Sequence, residues 1–390
     1  MGRKTSNLRK SIGLGALMAV LLLSGCGKAP RQGEPGGEAP TVITIWHTLT
    51  TPEAAVLEEQ LQQITANHPE IIVKTRQVRE EDFAARAYQA EAGGAGPAIF
   101  LAPAAILRQL YAQGSLAAVL AAGEDVFTAD GAQFQYGDKA YALPWLTDVP
   151  LIFYRNETAL PPLSLEDILN GRIALAAFDT ATLGAWWQGR GGRLLTAAAE
   201  PSLNAAENVD FLQSMTLARE NRRIVIGSDP VGAFLSGEVS YIIMRAGQAE
   251  QISIPYAAAA LSDVMGGQGQ AVLAYTVGMA NAAARTNADQ AEAIRTLEEA
   301  LLEPEVEAVM AKVCERTPAN TKCYPSLSPS ALERATARAL ANAWVLPGNP
   351  KLWELIALQD QAWADAFAEK ASPRDALDQA QAQAWRSWNQ

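Results

Sequence analysis

GDKAYALPWLTDVPLIFY, residues 137–154, joins a glycine turn to a strongly apolar run through a short segment that holds an aromatic ring and a carboxylate. Trp145, Thr147 and Asp148 lie together in that segment, shortly before Leu151 and its apolar neighbours. A turn, a polar segment and a buried strand in this order indicate a chain that crosses from one packed unit to another past a polar cavity. We therefore predict a hinge near residues 147–149.

Strand and helix patterns alternate on both sides of this stretch, which predicts an α/β fold with two lobes. Strand-like runs cover residues 41–46, 71–78, 98–102, 173–178 and 240–244. Helical patterns lie between them, and two long helical regions follow, 287–314 and 350–388. This order predicts mostly parallel sheets.

Composition and charge exclude several classes of function. The chain has 390 residues, enough for two domains, and its 49% hydrophobic and 19% charged residues are typical of a globular protein. Its formal net charge of -11 would repel nucleic acid phosphates, so we expect no nucleic acid partner. We find no internal repeat of about 20 to 50 residues, which excludes a solenoid.

The first 25 residues have the pattern of a lipoprotein signal peptide. A basic start leads into an apolar run, residues 12–23, that is too short to span a membrane. The sequence Leu-Ser-Gly-Cys that ends at Cys26 resembles the bacterial lipobox, in which the cysteine becomes the lipidated N-terminus. The alternative is a plain signal peptide with a chance cysteine. Residues 26–40 are rich in proline and glycine and predict a tether, so we expect a body anchored by lipid to the cell membrane on its extracytoplasmic side, in the periplasm or at the cell exterior.

The two remaining cysteines, Cys314 and Cys323, lie in a compartment that permits disulfides. We expect a disulfide between them, with two free buried thiols as the alternative. The histidines of the chain, His47 and His68, are far from this pair in sequence. Two thiols alone do not complete a zinc site, so we expect no metal and no cofactor.

Seven segments of the sequence resemble landmarks of one protein family in the expected order. They are VITIWHTLTTPEAAVLEEQLQQITANHPEIIVK, GDKAYALPWLTDVPLIFYRNE, PPLSLEDIL, WWQGRGGRLL, AFLSGEVSYIIM, RTPANTKCY and LPGNPKLWELI. The family is that of the extracellular solute-binding proteins of ABC importers, in its carbohydrate-type, maltose-binding group. The resemblance implies a two-lobed, periplasmic-binding-protein-like fold, with a ligand cleft between α/β lobes joined by hinge crossings. It implies an N-terminal lobe of residues 41–147 and about 257–316, and a C-terminal lobe of residues 148–256 and about 317–390.

The sequence departs from the family pattern around the expected cleft. Residues 103–105, Pro-Ala-Ala, make one rim unusually apolar. Residues 245–247, Arg-Ala-Gly, stand where the family often has Gly-Pro-Trp with a tryptophan that stacks on a sugar ring. Ile356 stands where maltose-binding members have a second stacking tryptophan. The resemblance therefore supports carbohydrate binding in general and no named sugar.

Sugar binding needs polar groups for paired hydroxyls and flat aromatic faces for the apolar side of the ring. Ligands of α/β sheets bind beyond the carboxyl ends of strands, and Asp148 also falls in register with a sugar-binding carboxylate of the family. The candidate ligand-binding residues are His47, Thr48, Thr50, Trp145, Asp148, Asp179, Thr180, Arg245 and Trp344.

Each candidate also has a purely structural interpretation. Asp148 could cap the hinge, and Trp145 could be a core tryptophan wedged between the lobes. Residues 47–51 could form a solvated turn, and Asp179 could be a plain helix N-cap. Arg245 could bind the carboxylate of an acidic sugar or the phosphate of a polyol, or it could form an ion pair between the lobes with Asp148 or Asp179.

These features predict the extracytoplasmic binding component of an ABC transporter. We expect it to act as a monomer that captures a carbohydrate by hinge closure and delivers it to permease subunits in the membrane. The alternatives are a binder of another small solute, such as a phosphorylated polyol or a sugar acid, and a lipid-anchored carbohydrate-active enzyme with two facing carboxylates. A third class is a lipoprotein that only presents a surface for adhesion or assembly, which explains the anchor but not the two-lobed pattern. The sequence has no nucleophile elbow, zinc-protease helix or phosphate-binding loop, so we do not expect an enzyme.

Overall fold

The computed structural model describes residues 39–119, 125–156, 164–227, 229–264, 270, 276–283, 288–324, 329–344 and 350–388. The expected signal peptide, the lipidated Cys26 and the tether up to residue 38 lie outside these ranges. Every element named below belongs to the compact unit Pro40–Gln390. No helix in the described ranges is long and apolar enough to cross a membrane.

The elements alternate between strands and helices along the chain, as the sequence predicts. The strands are β1 Thr41–His47, β2 Ile71–Gln77, β3 Ile99–Pro103, β4 Gln135–Tyr136, β5 Lys139–Ala140, β6 Leu143–Thr147, β7 Pro150–Arg155, β8 Ile173–Leu175, β9 Ile224–Ile226, β10 Tyr241–Arg245, β11 Tyr256–Ala260, β12 Val277–Asn281 and β13 Thr317–Pro318. The helices are α1 Thr51–Asn67, α2 Glu80–Ala92, α3 Ala104–Ala112, α4 Thr128–Gln133, α5 Leu165–Asn170, α6 Thr180–Gly189, α7 Ala206–Glu220, α8 Pro230–Leu235, α9 Leu261–Val264, α10 Ala288–Leu301, α11 Pro304–Val313, α12 Ala331–Ala341, α13 Pro350–Phe367 and α14 Pro373–Trp388.

Two mixed sheets confirm the two-lobed α/β prediction. The first sheet has the order β13-β6-β12-β3-β1-β2, and the second has the order β11-β7-β10-β8-β9. β1 pairs in parallel with β2 and β3, whereas β12 runs antiparallel to β3 and β6. The prediction of mostly parallel sheets is therefore wrong. A chain that returns from the other lobe re-enters the sheet at the end where the parallel strands finish. The strand that it forms there must therefore run antiparallel to them.

The register brings the carboxyl ends of the parallel strands of both sheets to one short segment, residues 148–149, which links β6 to β7. In the first sheet, Val277 pairs with Pro103 at the end of β3 and with Leu146 near the end of β6. In the second sheet, Arg245 at the end of β10 pairs with Pro150 at the start of β7. The short link from β6 to β7 connects these two edges directly. It coincides with the hinge that the sequence predicts.

Two strands late in the chain pair with earlier strands of the two sheets. β11 pairs with β7 in the second sheet. β13 pairs with β6 in the first sheet. β11 and β13 are each an edge strand of their sheet. Pairing with one neighbouring strand satisfies part of their backbone N–H and C=O groups.

Helix α12 was not predicted, although its first turn carries a recognisable signal. The Ser330 hydroxyl accepts a hydrogen bond from the Glu333 N–H at 3.1 Å, and the Glu333 carboxylate accepts one from the Ser330 N–H at 2.6 Å. This reciprocal pair is a capping box. Ala335, Ala339 and Leu340 are buried in the apolar cluster that also contains β11 residues. The buried face consists mostly of alanine, and its apolar residues recur at helical spacing.

The predicted disulfide is wrong for this structure, in which Cys314 and Cys323 are both free thiols. Cys314 follows α11 and packs in the first-lobe core, whereas the Cys323 sulfur lies 3.4 Å from the carbonyl oxygen of Pro304. The chain between the two cysteines extends along β6 as β13 instead of turning back. Burial raises the pKa of both thiols to about 12, so neither is a reactive thiolate.

Candidate functional site

Asp148 occupies the centre of the link between the sheets and is buried. Its Oδ2 lies 3.4 Å from Nε of Arg245 and 3.4 Å from Nη1 of Arg316. Its Oδ1 accepts hydrogen bonds from the N–H of Val149 at 3.0 Å and of Gly247 at 3.3 Å. Arg245 ends β10 of the second sheet, and Arg316 directly precedes β13 of the first. Arg245 therefore forms the ion pair that was the structural alternative, and Asp148 contacts groups of both lobes.

Two guanidinium groups share the single carboxylate of Asp148. Burial raises the pKa of Asp148 to about 7 and outweighs the lowering effects of Arg245 and of the N–H donors, while Glu315 contributes in the same direction as burial. The Arg245 side chain is 40% exposed and the Arg316 side chain 15% exposed, so solvent screens the first pair more than the second. The cluster of these three side chains carries one excess positive charge when Asp148 is ionised.

Gly247 explains one departure from the family pattern. A Cβ at this position would lie 2.4 Å from the carbonyl oxygen of Glu315 and 2.5 Å from Cα of Arg316. No real side chain tolerates such distances, so the close approach of these segments requires a glycine. The tryptophan that the family often has at this strand exit does not fit in this packing.

A second buried carboxylate, Asp130 of α4, lies beside the link and was not identified from the sequence. Its Oδ1 accepts hydrogen bonds from the hydroxyls of Thr147 at 2.7 Å and Thr276 at 3.2 Å. Its Oδ2 is buried and has no hydrogen-bond partner within the described residues. Burial raises the pKa of Asp130 to about 7. Thr147 ends β6, and Thr276 precedes β12. The hydrogen bonds of Asp130 therefore join α4 to the two first-lobe segments that lie before β7 and after β11 in the chain.

The predicted residues that follow β1 have three different environments. His47 is only 1% exposed, burial lowers its pKa, and its Nδ1 has no partner in the described structure. Thr48 lines a cavity of about 40 Å³ together with Glu53 and Arg316. Thr50 is the N-cap of α1, and its N–H donates to the Glu53 carboxylate at 2.6 Å. Of the three, only Thr48 lines this cavity between β1 and the segment that precedes β13.

Trp145 is a core side chain in this structure. Its residue is 0% exposed, and it packs in the first-lobe core. Its Nε1 donates a hydrogen bond to the carbonyl oxygen of Leu301 at 3.0 Å, so the polar end of the ring is satisfied internally. No face of the ring is accessible for stacking on a sugar in this conformation.

The predicted residues that follow β8 form hydrogen bonds with the backbone of α6 and with side chains of α13. Asp179 is the N-cap of α6 and accepts a hydrogen bond from the Thr182 N–H at 2.8 Å. Thr180 is buried, and its N–H and hydroxyl donate to Oδ1 of Asp360 at 2.7 and 2.5 Å. Gln359 also donates to the Thr180 hydroxyl oxygen, at 2.9 Å. Asp179 is half-buried and keeps an exposed part, whereas Thr180 fastens α6 to α13.

The aromatic side chains of the second lobe include one that the sequence did not single out. Trp344 packs against the second-lobe core, with its ring centroid 6.4 Å from that of Trp187. Ile356 is buried in the same core, as expected for a position without a stacking platform. Trp353, about one turn earlier on α13, is half-buried, and the guanidinium carbon of Arg108 lies 4.2 Å from its ring centroid. No local pattern links α3 to α13, so only the tertiary structure reveals this pair.

The buried carboxylates are held by protein donors and do not converge on a metal site. Within the described ranges, no group of three or more His, Cys, Asp or Glu side chains is arranged to hold a metal ion. Asp148 is bound by guanidinium and N–H groups, and Asp130 by hydroxyls. The donors of both carboxylates are therefore groups of the protein itself.

The sequence matches the family model described as bacterial extracellular solute-binding protein over residues 59–339. The match covers more than half of the chain and runs from within α1 to within α12. No curated protein matches the sequence significantly.

Solved structures share the fold over nearly the whole chain. The GacH receptor of Streptomyces glaucescens, solved unliganded and with acarbose, is 18% identical with a TM-score of 0.71 and covers 90% of this chain and 98% of its own. The sugar-binding protein MalE from Xanthomonas citri is 16% identical with a TM-score of 0.75, covering 89% and 98%. The maltose-maltodextrin binding protein of Alicyclobacillus acidocaldarius is 16% identical with a TM-score of 0.69, covering 88% and 99%. At these identities the likeness shows the fold.

Proposed function

We propose that this chain, which belongs to the family of bacterial extracellular solute-binding proteins, captures a carbohydrate between its lobes and delivers it to the permease of an ABC importer. Proteins of the same fold include a sugar-binding protein and a maltose-maltodextrin binding protein, which supports a carbohydrate as the solute. We expect binding without chemical turnover.

The meeting of strand ends at one link carries this proposal. β3 of the first sheet and β10 of the second both end beside the link from β6 to β7, and β1 and β8 run parallel to them. Ligands of α/β sheets bind at such ends. A solute bound there touches both lobes, and it favours the closed arrangement by the difference in its affinity for the closed and open forms.

The predicted site residues are proposed to divide into contacts and supports. Thr48 of the first lobe and Asp179 of the second are proposed to bind solute hydroxyls, and Trp344 to offer an aromatic face. Trp145 and Thr180 are proposed to support the cleft walls, because their polar atoms already have partners inside the protein.

The remaining candidates are proposed to act at the hinge and at the first-lobe rim. Asp148 and Arg245 belong to the ion-pair cluster that joins the lobes, so their contact is expected to change when the lobes move. His47 and Thr50 are proposed to shape the rim on either side of Thr48.

We also propose the lobe composition and the cellular location. The first lobe comprises β1 to β6, β12, β13 and the helices packed on them, and the second comprises β7 to β11 with α12 to α14. The chain is proposed to act as a monomer on the extracytoplasmic side of the membrane, anchored by lipid through Cys26. The family description supports the extracytoplasmic location.

Calorimetry and small-angle scattering of the purified chain test this function. We expect at least one saccharide of a neutral and acidic panel to bind without product formation, and the radius of gyration to fall on binding. Asp179→Ala should weaken binding by about tenfold or more, as expected for the loss of a polar contact. Asp375→Ala, at an exposed cap of α14, should leave affinity unchanged. If no saccharide binds, or if a product is released, the proposal is wrong.

A further inference from the structure

Arg108 and Trp353 form a contact between the two lobes. Arg108 lies on α3, which packs against β3 and β12 of the first sheet. Trp353 lies on α13, which packs against α6, α7 and α14 and the second-lobe core. The guanidinium carbon lies 4.2 Å from the centroid of the indole ring, which is the geometry of a cation–π contact. A basic side chain of one lobe thus reaches the aromatic face of the other.

Both side chains have buried polar atoms that lack a hydrogen-bond partner among the described residues. Nη1 of Arg108 and Nε1 of Trp353 are buried and have no hydrogen-bond acceptor within the described part of the chain. Burial lowers the pKa of Arg108, although an arginine keeps its charge at neutral pH. A buried charged donor without an acceptor is costly, and an acceptor supplied by a ligand removes that cost. Residues 103–105 of the adjacent rim, Pro-Ala-Ala, supply no side-chain acceptor.

Arg108 differs in this respect from the two arginines at the link. Arg245 and Arg316 both lie 3.4 Å from the carboxylate of Asp148. Their charges are therefore partly neutralised inside the protein. Nη1 of Arg108 has no such carboxylate among the described residues, although the guanidinium carbon lies 4.2 Å from the centroid of the Trp353 ring.

We infer that the bound carbohydrate is acidic, and that an anionic oxygen of it accepts a hydrogen bond from Nη1 of Arg108 while Trp353 holds the guanidinium in place. This inference rests on the proposed function and specifies its solute class. The oxygen belongs to a sugar carboxylate or a sugar phosphate, because both present the same acceptor to a guanidinium. Arg108 is then a specificity residue that no family motif identifies.

The test compares each acidic ligand with its neutral counterpart by calorimetry. The probes are digalacturonate against its methyl ester, and glucose 6-phosphate against glucose. The chain should bind at least one acidic probe about tenfold or more tightly than its counterpart, and the preference should weaken as salt rises. Arg108→Gln should abolish the preference, whereas Arg108→Lys should keep part of it. The matched control is Arg76→Gln, which removes a guanidinium that lies 4.6 Å from the Trp46 ring within the first lobe.

The outcomes separate this inference from the proposed function. A preference for the uronate or for the phosphate that depends on Arg108 supports the inference and identifies the anionic group. If neutral saccharides bind as tightly as acidic ones, or if Arg108→Gln keeps the acidic preference, the inference is wrong and carbohydrate capture stands. If no saccharide binds in any form of the protein, both are wrong.

Discussion

Asp148 and Asp130 are buried carboxylates on either side of the same link, and burial raises the pKa of each to about 7. Their partners differ in kind. Asp148 lies between the guanidinium groups of Arg245 and Arg316, which come from different lobes. Asp130 has only neutral hydroxyl donors for Oδ1, and its Oδ2 has no partner in the described residues.

This difference predicts different responses to substitution. The raised pKa of each carboxylate means that burial penalises its charge in the folded protein. Asp148 also accepts from two backbone N–H groups and lies beside two guanidinium groups, so removing its whole side chain leaves those groups without their acceptor. Asp130 has no cationic partner among the described residues, so replacing its carboxylate by an amide removes the penalty on its charge. A similar pKa therefore does not imply an equal contribution of the side chain to stability.

Asp148→Ala should have the largest effect, with a loss of about 3 kcal/mol in the free energy of unfolding at pH 8, because it removes the acceptor of two buried backbone N–H groups and of Arg316. Urea unfolding followed by circular dichroism measures it. The control is Asp179→Asn, since asparagine is an equally good helix N-cap. A loss below about 1 kcal/mol at Asp148 would show that the two arginines are adequately solvated without it.

Asp130→Asn should have the next largest effect and the opposite sign at high pH. The folded pKa is raised above the ordinary value, so the unfolded chain loses its proton first, and wild-type stability falls as pH rises from about 4 to about 7. Asparagine removes this contribution and should stabilise the chain by on the order of 2 kcal/mol at pH 8, with little change at pH 4.

Unfolding curves at a series of pH values give this comparison directly. Asp375→Asn, at an exposed cap, should follow the wild-type pH dependence. If Asp130→Asn destabilises the chain at pH 8, the carboxylate at Asp130 has a stabilising partner, and the contrast with Asp148 fails.

Gly247→Ala tests whether the Asp148 cluster depends on close backbone approach. The new methyl group would meet the carbonyl oxygen of Glu315 at 2.4 Å and push away the N–H that donates to Asp148. We expect a loss of about 1 to 2 kcal/mol in unfolding free energy. Gly93→Ala, whose nearest contact would be an ordinary 3.4 Å, should be close to neutral or slightly stabilising. Equal changes in unfolding free energy for Gly247→Ala and Gly93→Ala would mean that the segment around residue 247 shifts easily to accommodate the methyl group.

Thr147→Val should have the smallest effect, since it removes one neutral hydrogen bond to Asp130 and keeps the side-chain volume. We expect a loss of about 1 kcal/mol, measured by urea unfolding at pH 6. The matched control is Thr75→Val, which removes an exposed hydrogen bond to Glu58 and should cost less than about 0.5 kcal/mol. A larger loss of unfolding free energy at Thr75 than at Thr147 would show that the hydrogen bonds of Asp130 contribute little to stability.

Local patterns were sufficient to predict the link and the α/β segments beside it. Strands β1 and β7 are short apolar runs with polar boundaries, and the Ser164 cap of α5 is visible in the sequence and accepts from the Asp167 N–H at 3.2 Å. Strand direction was not predictable, because antiparallel pairing of β12 depends on where the chain re-enters the sheet. The register of β11 and β13 is likewise set by partners distant in sequence.

The site was only partly predictable, because a residue type does not reveal its surroundings. Trp145 had two interpretations, and only the packing places its ring in the first-lobe core. Arg245 also had two, and the structure forms the ion pair with Asp148. Asp130 was not identified, since a single aspartate in a short helix resembles an exposed cap. Trp353 has no local signal for a contact with the other lobe, and only the tertiary structure places Arg108 against its ring.

The sequence by itself determined that two α/β lobes meet at residues 147–149 and that the chain resembles exported solute-binding proteins, because apolar periodicity, caps and motifs are local properties. Only the tertiary structure decided which charges meet there. Arg316 reaches Asp148 from 168 residues away, and Arg108 reaches Trp353 from the opposite lobe. The pairing of charges follows from the packing of whole lobes, since electrostatic and desolvation energies depend on distance and burial in space and not on separation along the chain.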